Sequence, residues 1–281
     1  MIACYDLSCC PPTYDVVAFL AHIELERLFR GADEIELHVL PGPDGGFRRD
    51  GLWPRTVEER VALRERVLVP LCRMLPSISR VSVDRDRGRT VIGRGERWIS
   101  LPEIMAVLRR GSRPLRAPAP LPKRLGLVTF TLREAAHHSL RNSRTEEWAE
   151  AVRVLGQWFD VVVVRDTLKA RELIPGIPTD PRASEEVHLR AQLYSQAALN
   201  VGICNGPMWM SIFMDAPTLM LRPVTDAAGG CYDSAFYAAH GLPRGAQLPT
   251  SPSHQRLVWE DDARGNIVRA VTEMMENLLH E

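Results

Sequence analysis

The chain has 281 residues, 45% hydrophobic and 25% charged, with 35 basic and 35 acidic side chains and therefore no net charge. This composition excludes a disordered, collagen-like or coiled-coil chain. Without a basic surplus there is little to neutralise a phosphate backbone, so nucleic acid is not an expected partner.

Only Lys123 and Lys169 are lysines; the remaining 33 basic residues are arginines, which suit forked binding of phosphate or carboxylate. The six cysteines (Cys4, Cys9, Cys10, Cys72, Cys204 and Cys231) have no zinc spacing and are too few for a disulfide scaffold. Free thiols in a reducing cytoplasm are expected. No apolar run reaches the ~20 residues of a membrane-spanning helix, so no integral membrane segment is expected. The start, MIACYDLSCCPP, lacks the basic region of a signal peptide.

In chain order, 2–8 (IACYDLS) reads as a buried strand, broken by Cys9-Cys10-Pro11-Pro12. Residues 15–30 carry helical apolar spacing, and 34–40 (EIELHVL) alternate as a strand. Thr56 before Val57-Glu58-Glu59 predicts a capped helix running to about Leu75. Residues 79–83 read as a third strand, and Pro102-Glu103 open a short helix. Residues 111–124 (GSRPLRAPAPLPKR) hold four prolines and no acid, a linker composition. This predicts two domains, 1–115 and 116–281.

The second half alternates strand and helix more regularly. Strands are expected at 125–131, 160–164, 200–204 and 217–221. Helices are expected at 146–159 (with Trp148, Val152, Leu155 and Trp158 on one stripe), 184–199, 208–214 and 262–279. Such alternation implies a parallel sheet with crossover helices, an α/β fold.

The strongest chemical segment is Cys204-Asn205-Gly206-Pro207-Met208. A strand runs into a tight turn and then a helix whose N-terminal amides and dipole suit an anion. The run AALNVGICNGPMWMSIFMDAPTLMLRP (197–223) resembles the nucleotide-binding segment of GT-B-type glycosyltransferases, especially the heptosyltransferase-like group. The resemblance extends in element order over about 125–280 and is specific over about 192–223. It implies two Rossmann-like αβα domains facing a cleft, with a reduced N-terminal half of about three strands.

It also implies that Asn205, Gly206, Pro207 and Met208 hold the diphosphate of a nucleotide-sugar donor. The chain departs from the family where an acid and a histidine are usual, having Cys204-Asn205 and Trp209 instead.

Other candidates follow from position. Arg133 and Arg141, after the strand at 125–131, are expected to stabilise the departing diphosphate as catalytic cations. Asn142 and Ser143 would add hydrogen bonds to substrate, and Ser143 fits a helix cap equally well. Arg165, Asp166 and Arg222 end strands at the expected ligand edge; Asp166 also fits a turn cap. Glu260, Asp261 and Asp262 read as caps of the last helix.

In the N-terminal half, Thr13, Tyr14 and Asp15 end the first loop. The general base is sought among Asp6, Thr13, Tyr14 and Asp15, with Glu24 further along the helix; Asp15 is the chosen candidate and fits an ordinary first-turn helix acid as well. Asp84-Arg85-Asp86 matches the metal-binding Asp-x-Asp of GT-A enzymes and also an ordinary charged turn.

The expected function is metal-independent, cofactor-free transfer of a sugar from a nucleotide-diphosphate donor to a glycan, lipid-linked or protein acceptor, as in bacterial polysaccharide assembly. The alternatives are a non-catalytic nucleotide-sugar-binding module of the same fold, or a metal-dependent transferase using Asp84 and Asp86. The sequence leaves the oligomeric state open.

Overall fold

The computed structural model describes residues 1–49, 56–83 and 101–280. The expected metal motif at Asp84 and Asp86 lies outside them. The chain divides into two compact units, Met1–Arg116 and Ala117–Glu281.

The first unit opens with β1 (Ile2–Asp6) and α1 (Val16–Phe29), then β2 (Ile35–Leu40). Helix α2 (Val57–Leu63) starts at Thr56 in a full capping box. Thr56 Oγ1 accepts from Glu59 N at 3.2 Å, and Glu59 Oε2 accepts from Thr56 N at 2.9 Å. The predicted single helix is interrupted by one π-helical stretch at Arg64–Leu68 before α3 (Val69–Cys72). Pro70 explains this, because its ring removes an N–H and crowds the preceding turn, which widens. Strand β3 (Ile78–Val83) and α4 (Leu101–Arg109) follow. The strands pair in parallel in the order β1-β2-β3, with Tyr5 opposite Val39 and Val39 opposite Val83.

The second unit begins with β4 (Arg124–Thr131), α5 (Thr145–Leu155) and β5 (Asp160–Val164). Then come α6 (Pro181–Glu185), α7 (Val187–Gln196), β6 (Ala197–Ile203) and α8 (Gly206–Phe213). The chain ends with β7 (Thr218–Leu221), α9 (Ser234–Ala239), β8 (Gln255–Val258) and α10 (Arg264–His280). All five strands are parallel, in the order β5-β4-β6-β7-β8. Helices α5 and α10 pack on each other over a core that includes Phe130, Trp148, Leu199, Val201, Val271 and Met274.

Several expectations are corrected. The helix expected to reach 159 stops at Leu155, and Trp158 is 64% exposed rather than part of the buried stripe. The helix expected at 184–199 is two helices, broken at Glu186, whose backbone is extended (φ −121°). Strand β6 begins at Ala197 because that stretch pairs with β4, Leu199 lying opposite Val128. Its one buried amide, Asn200, is satisfied: Oδ1 accepts from Thr129 at 2.7 Å, and Nδ2 donates to the carbonyls of Tyr194 and Pro217. Among the described residues, no helix is long and apolar enough to cross a membrane.

Candidate functional site

Five parallel strands deliver the segments after β4, β6 and β7 to one rim of the second sheet, the end where open α/β sheets bind ligands. Strand β6 leads into α8 through Asn205, which is extended (φ −152°). Its Oδ1 accepts from Met208 N at 3.0 Å, and its carbonyl accepts from Trp209 N at 3.2 Å. Pro207 has no N–H. Gly206 N–H is therefore the one first-turn amide left unbonded, among the described residues, so the opening offers fewer donors than the sequence suggested. Met208 is also corrected. Its side chain is fully buried against Gly202, where a Cβ would come within 2.8 Å of Met208 Sδ. Its side chain packs α8 against β6 and is turned away from solvent.

Arg141 reaches this opening, and Arg222 and Arg133 bind the loop that carries it. Arg141 Nη2 donates to Cys204 O at 3.2 Å, and its guanidinium carbon lies 3.8 Å from the ring centroid of Tyr232. Arg222 Nη2 donates to the carbonyls of Arg141 (3.0 Å) and Asn142 (2.6 Å). It does so from a left-handed backbone, φ 45°, which is uncommon for a residue with a side chain. Arg133 is buried. Its guanidinium donates to the carbonyls of His137 (2.9 Å) and His138 (3.0 Å) and to Asn142 Oδ1. These donors hold the 133–142 loop closed rather than facing outward.

Asn142 completes that loop. Its Oδ1 accepts from Ala135 N at 3.1 Å and its Nδ2 donates to Ala135 O at 2.9 Å. Ser143 Oγ accepts from Arg133 N at 3.0 Å, so Ser143 does not cap α5.

The crowding of like charge is visible in the electrostatics. Arg133 is pulled down to about 10, first by burial and then by repulsion from Arg141. Arg222 is lowered chiefly by burial, with Asp262 opposing and Arg144 and Arg141 adding repulsion. His138 is held below its ordinary value by burial and by Arg141 and Arg133.

Arg165 is turned away from this task. Its Nε and Nη2 bind both oxygens of Glu134, at 2.9 and 2.5 Å, in a buried fork, and Nη1 donates to Glu172 O at 2.7 Å. Asp166 is half-buried before the turn Thr167–Lys169, and its charge favours the protonated Arg133.

Sequence reasoning missed three partners: Glu134, Tyr232 and Asp262. Asp262 was expected to cap the last helix. It is instead fully buried, accepting from Arg144 N (2.9 Å) and Trp148 Nε1 (2.8 Å) and lying 3.4 Å from Arg222 Nη1. The amide of Arg264, at the start of α10, is taken by Glu147 Oε2 at 2.6 Å. The Glu260-Asp261-Asp262 run before the helix was the available signal, but it reads equally well as capping.

In the first unit, Thr13, Tyr14 and Asp15 form the half-buried turn into α1. The carbonyls of Thr13 and Tyr14 accept from Val16 and Val17 N. The Asp15 carboxylate accepts from Thr13 Oγ1 and makes no cap bond to α1.

No family model and no curated protein matches the chain. Among solved structures, it is similar to the bacterial iron-containing dodecameric glycosyltransferase TibC of enterotoxigenic E. coli. The two are 12% identical with a TM-score of 0.52, over 99% of this chain and 76% of that one. It is also similar to E. coli heptosyltransferase WaaC with ADP (10% identity, TM-score 0.47, 99% of this chain and 100% of that one). A third is the glycosyl transferase family 9 structure from Veillonella parvula (10% identity, TM-score 0.48, 98% of this chain and 97% of that one). The likeness to TibC shows the fold. The chain has a glycosyltransferase fold of two parallel-sheet α/β units, in agreement with the expected GT-B-like class.

Proposed function

We propose that the chain is a glycosyltransferase using a nucleotide-diphosphate sugar, with the departing diphosphate held at the opening of α8. One observation supports this reading: Arg141 Nη2 donates to Cys204 O at 3.2 Å, one residue before the Asn205 cap of α8.

As the bond from the sugar to the diphosphate breaks, negative charge grows on the leaving oxygen. Fixed guanidinium and amide donors stabilise that charge without reorganising, and this does not call on a metal. Arg141 is the direct phosphate contact. Arg222 and Arg133 hold the loop that presents it, and Asn142 and Ser143 support the loop rather than the substrate. Gly206 gives its amide, while Asn205 and Pro207 shape the turn.

The general base belongs to the first unit. Asp15 is favoured because it stands at the turn into α1 with its carboxylate held by Thr13 Oγ1. It would take the proton of the acceptor hydroxyl, whether on a glycan, a lipid-linked sugar or a protein. Thr13 orients that carboxylate through its hydroxyl, and Tyr14 adjoins it.

Thermal-shift titration with ADP, UDP and GDP tests the donor site. A diphosphate at about a hundred times its Kd adds about 2.7 kcal/mol of stability. The rise in Tm is expected to be lost in Arg141→Ala. If none of the three raises the Tm of the native chain, the donor-site reading fails. Release of nucleoside diphosphate that depends on acceptor, lost in Asp15→Asn, separates a transferase from a binding module.

A further inference from the structure

We infer that the second unit carries a separate pocket for an uncharged saccharide, sharing only Arg222 with the proposed diphosphate site. An open cavity of about 780 Å³ lies where β7 and β8 end, walled by the start of α10 and by Arg244. It sits at the ligand rim of the sheet, and its volume is that of a small-molecule site.

Its lining sets the ligand class. Three guanidiniums (Arg222, Arg244, Arg269) face three carboxylates (Asp226, Glu260, Asp261), so the wall is neutral. The charges are already matched. Arg244 lies 3.7 Å from Asp226 and Arg269 pairs with Glu260; behind the wall, Arg222 lies 3.4 Å from Asp262, and Asp261 pairs with Arg144 at 2.8 Å. An anionic ligand would have to displace these carboxylates and would gain no net field. A polyol needs no displacement. Carboxylate lone pairs accept from hydroxyls, and guanidinium N–H groups left over from each pair donate to them.

Trp259 adds an apolar wall in the same cavity. Its indole Nε1 donates to Ala246 O at 2.7 Å, which fixes the ring, and its side chain is only partly buried. A rigid indole among paired polar groups matches a sugar, which has an apolar C–H face and a polar rim.

The probes are maltose, cellobiose and lactose at millimolar concentration, read by the Trp259 indole N–H resonance and by calorimetry. At least one disaccharide is expected to shift that resonance and to bind at least tenfold more weakly to Trp259→Ala. If that variant does not fold, Arg269→Ala, a half-exposed site, is expected to show the same tenfold loss. The pocket assignment is overturned if no disaccharide moves the resonance of the native chain. It is equally overturned if inorganic pyrophosphate moves that resonance and competes. The nucleotide-induced rise in Tm is read on the same samples. Its absence bears on the donor site alone, so the two readings fail separately.

Discussion

Arg141 lies over Tyr232, its guanidinium carbon 3.8 Å from the ring centroid, while its Nη2 reaches Cys204 O. The ring and the carbonyl together fix a long side chain that would otherwise lose much of its rotamer freedom on binding. The stack is worth ~0.5–2 kcal/mol. Tyr232→Ala is therefore expected to weaken ADP binding by a few-fold to about thirtyfold in calorimetry, and Tyr232→Phe to leave it near native. Equal losses in both variants would show that the hydroxyl, not the ring face, matters.

Asp262 anchors the other side of the same loop. Removing its carboxylate strands Trp148 Nε1 and Arg144 N without an acceptor and takes the counter-charge away from Arg222 Nη1. Asp262→Ala is expected to cost about 3–5 kcal/mol in urea unfolding, as for other broken buried ion pairs. A loss below about 1 kcal/mol would mean that these donors find other partners, and that Asp262 does not hold Arg222.

Gly202 tests how closely α8 sits on β6. A methyl group there meets Met208 Sδ at 2.8 Å and Thr131 O at 3.0 Å. Gly202→Ala is expected to destabilise by about 1–3 kcal/mol. Adding Met208→Val should recover only part of this, because Thr131 O belongs to the backbone and cannot move aside. Full recovery in chemical denaturation would place the whole clash on the methionine.

Glu24 gives a pH prediction. Burial pushes its carboxyl up, but hydrogen bonds from Arg27 and Ser77 outweigh burial, and its folded value lies below the ordinary 4.5. The stability it contributes is complete above about pH 4.5 and is lost as the pH falls through the lower folded value. Urea midpoints measured from neutral pH into the acid range should fall less steeply below pH 4.5 in Glu24→Gln. Parallel curves would assign the acid sensitivity to other carboxylates.

Strand β5 was legible because a buried parallel strand is a continuous apolar run, Val161-Val162-Val163-Val164, and β2 because its residues alternate. Strand β8 was not, because Gln-Arg-Leu-Val is four residues long and half polar. The break at Glu186 has neither proline nor glycine to announce it. At the site, the Asn205-Gly206-Pro207 turn could be read because its chemistry is local. The partners of its arginines could not. Glu134 meets Arg165 across 31 residues of chain, and Asp262 meets Trp148 across 114. Spacing along a sequence carries no record of such meetings. For the same reason, Arg133 and Arg165 looked available for phosphate when folding commits one to its own loop and the other to a glutamate.

Because β4 through β8 all run in one direction, the two edges of that sheet carry separate burdens. The edge where strands begin, near Asp160 and Pro217, bears none of the groups assigned here to ligands. New termini, tags or fusions belong there. The opposite edge, with its longer connections, is where lengthening or trimming a loop should alter what is bound while leaving the core beneath untouched.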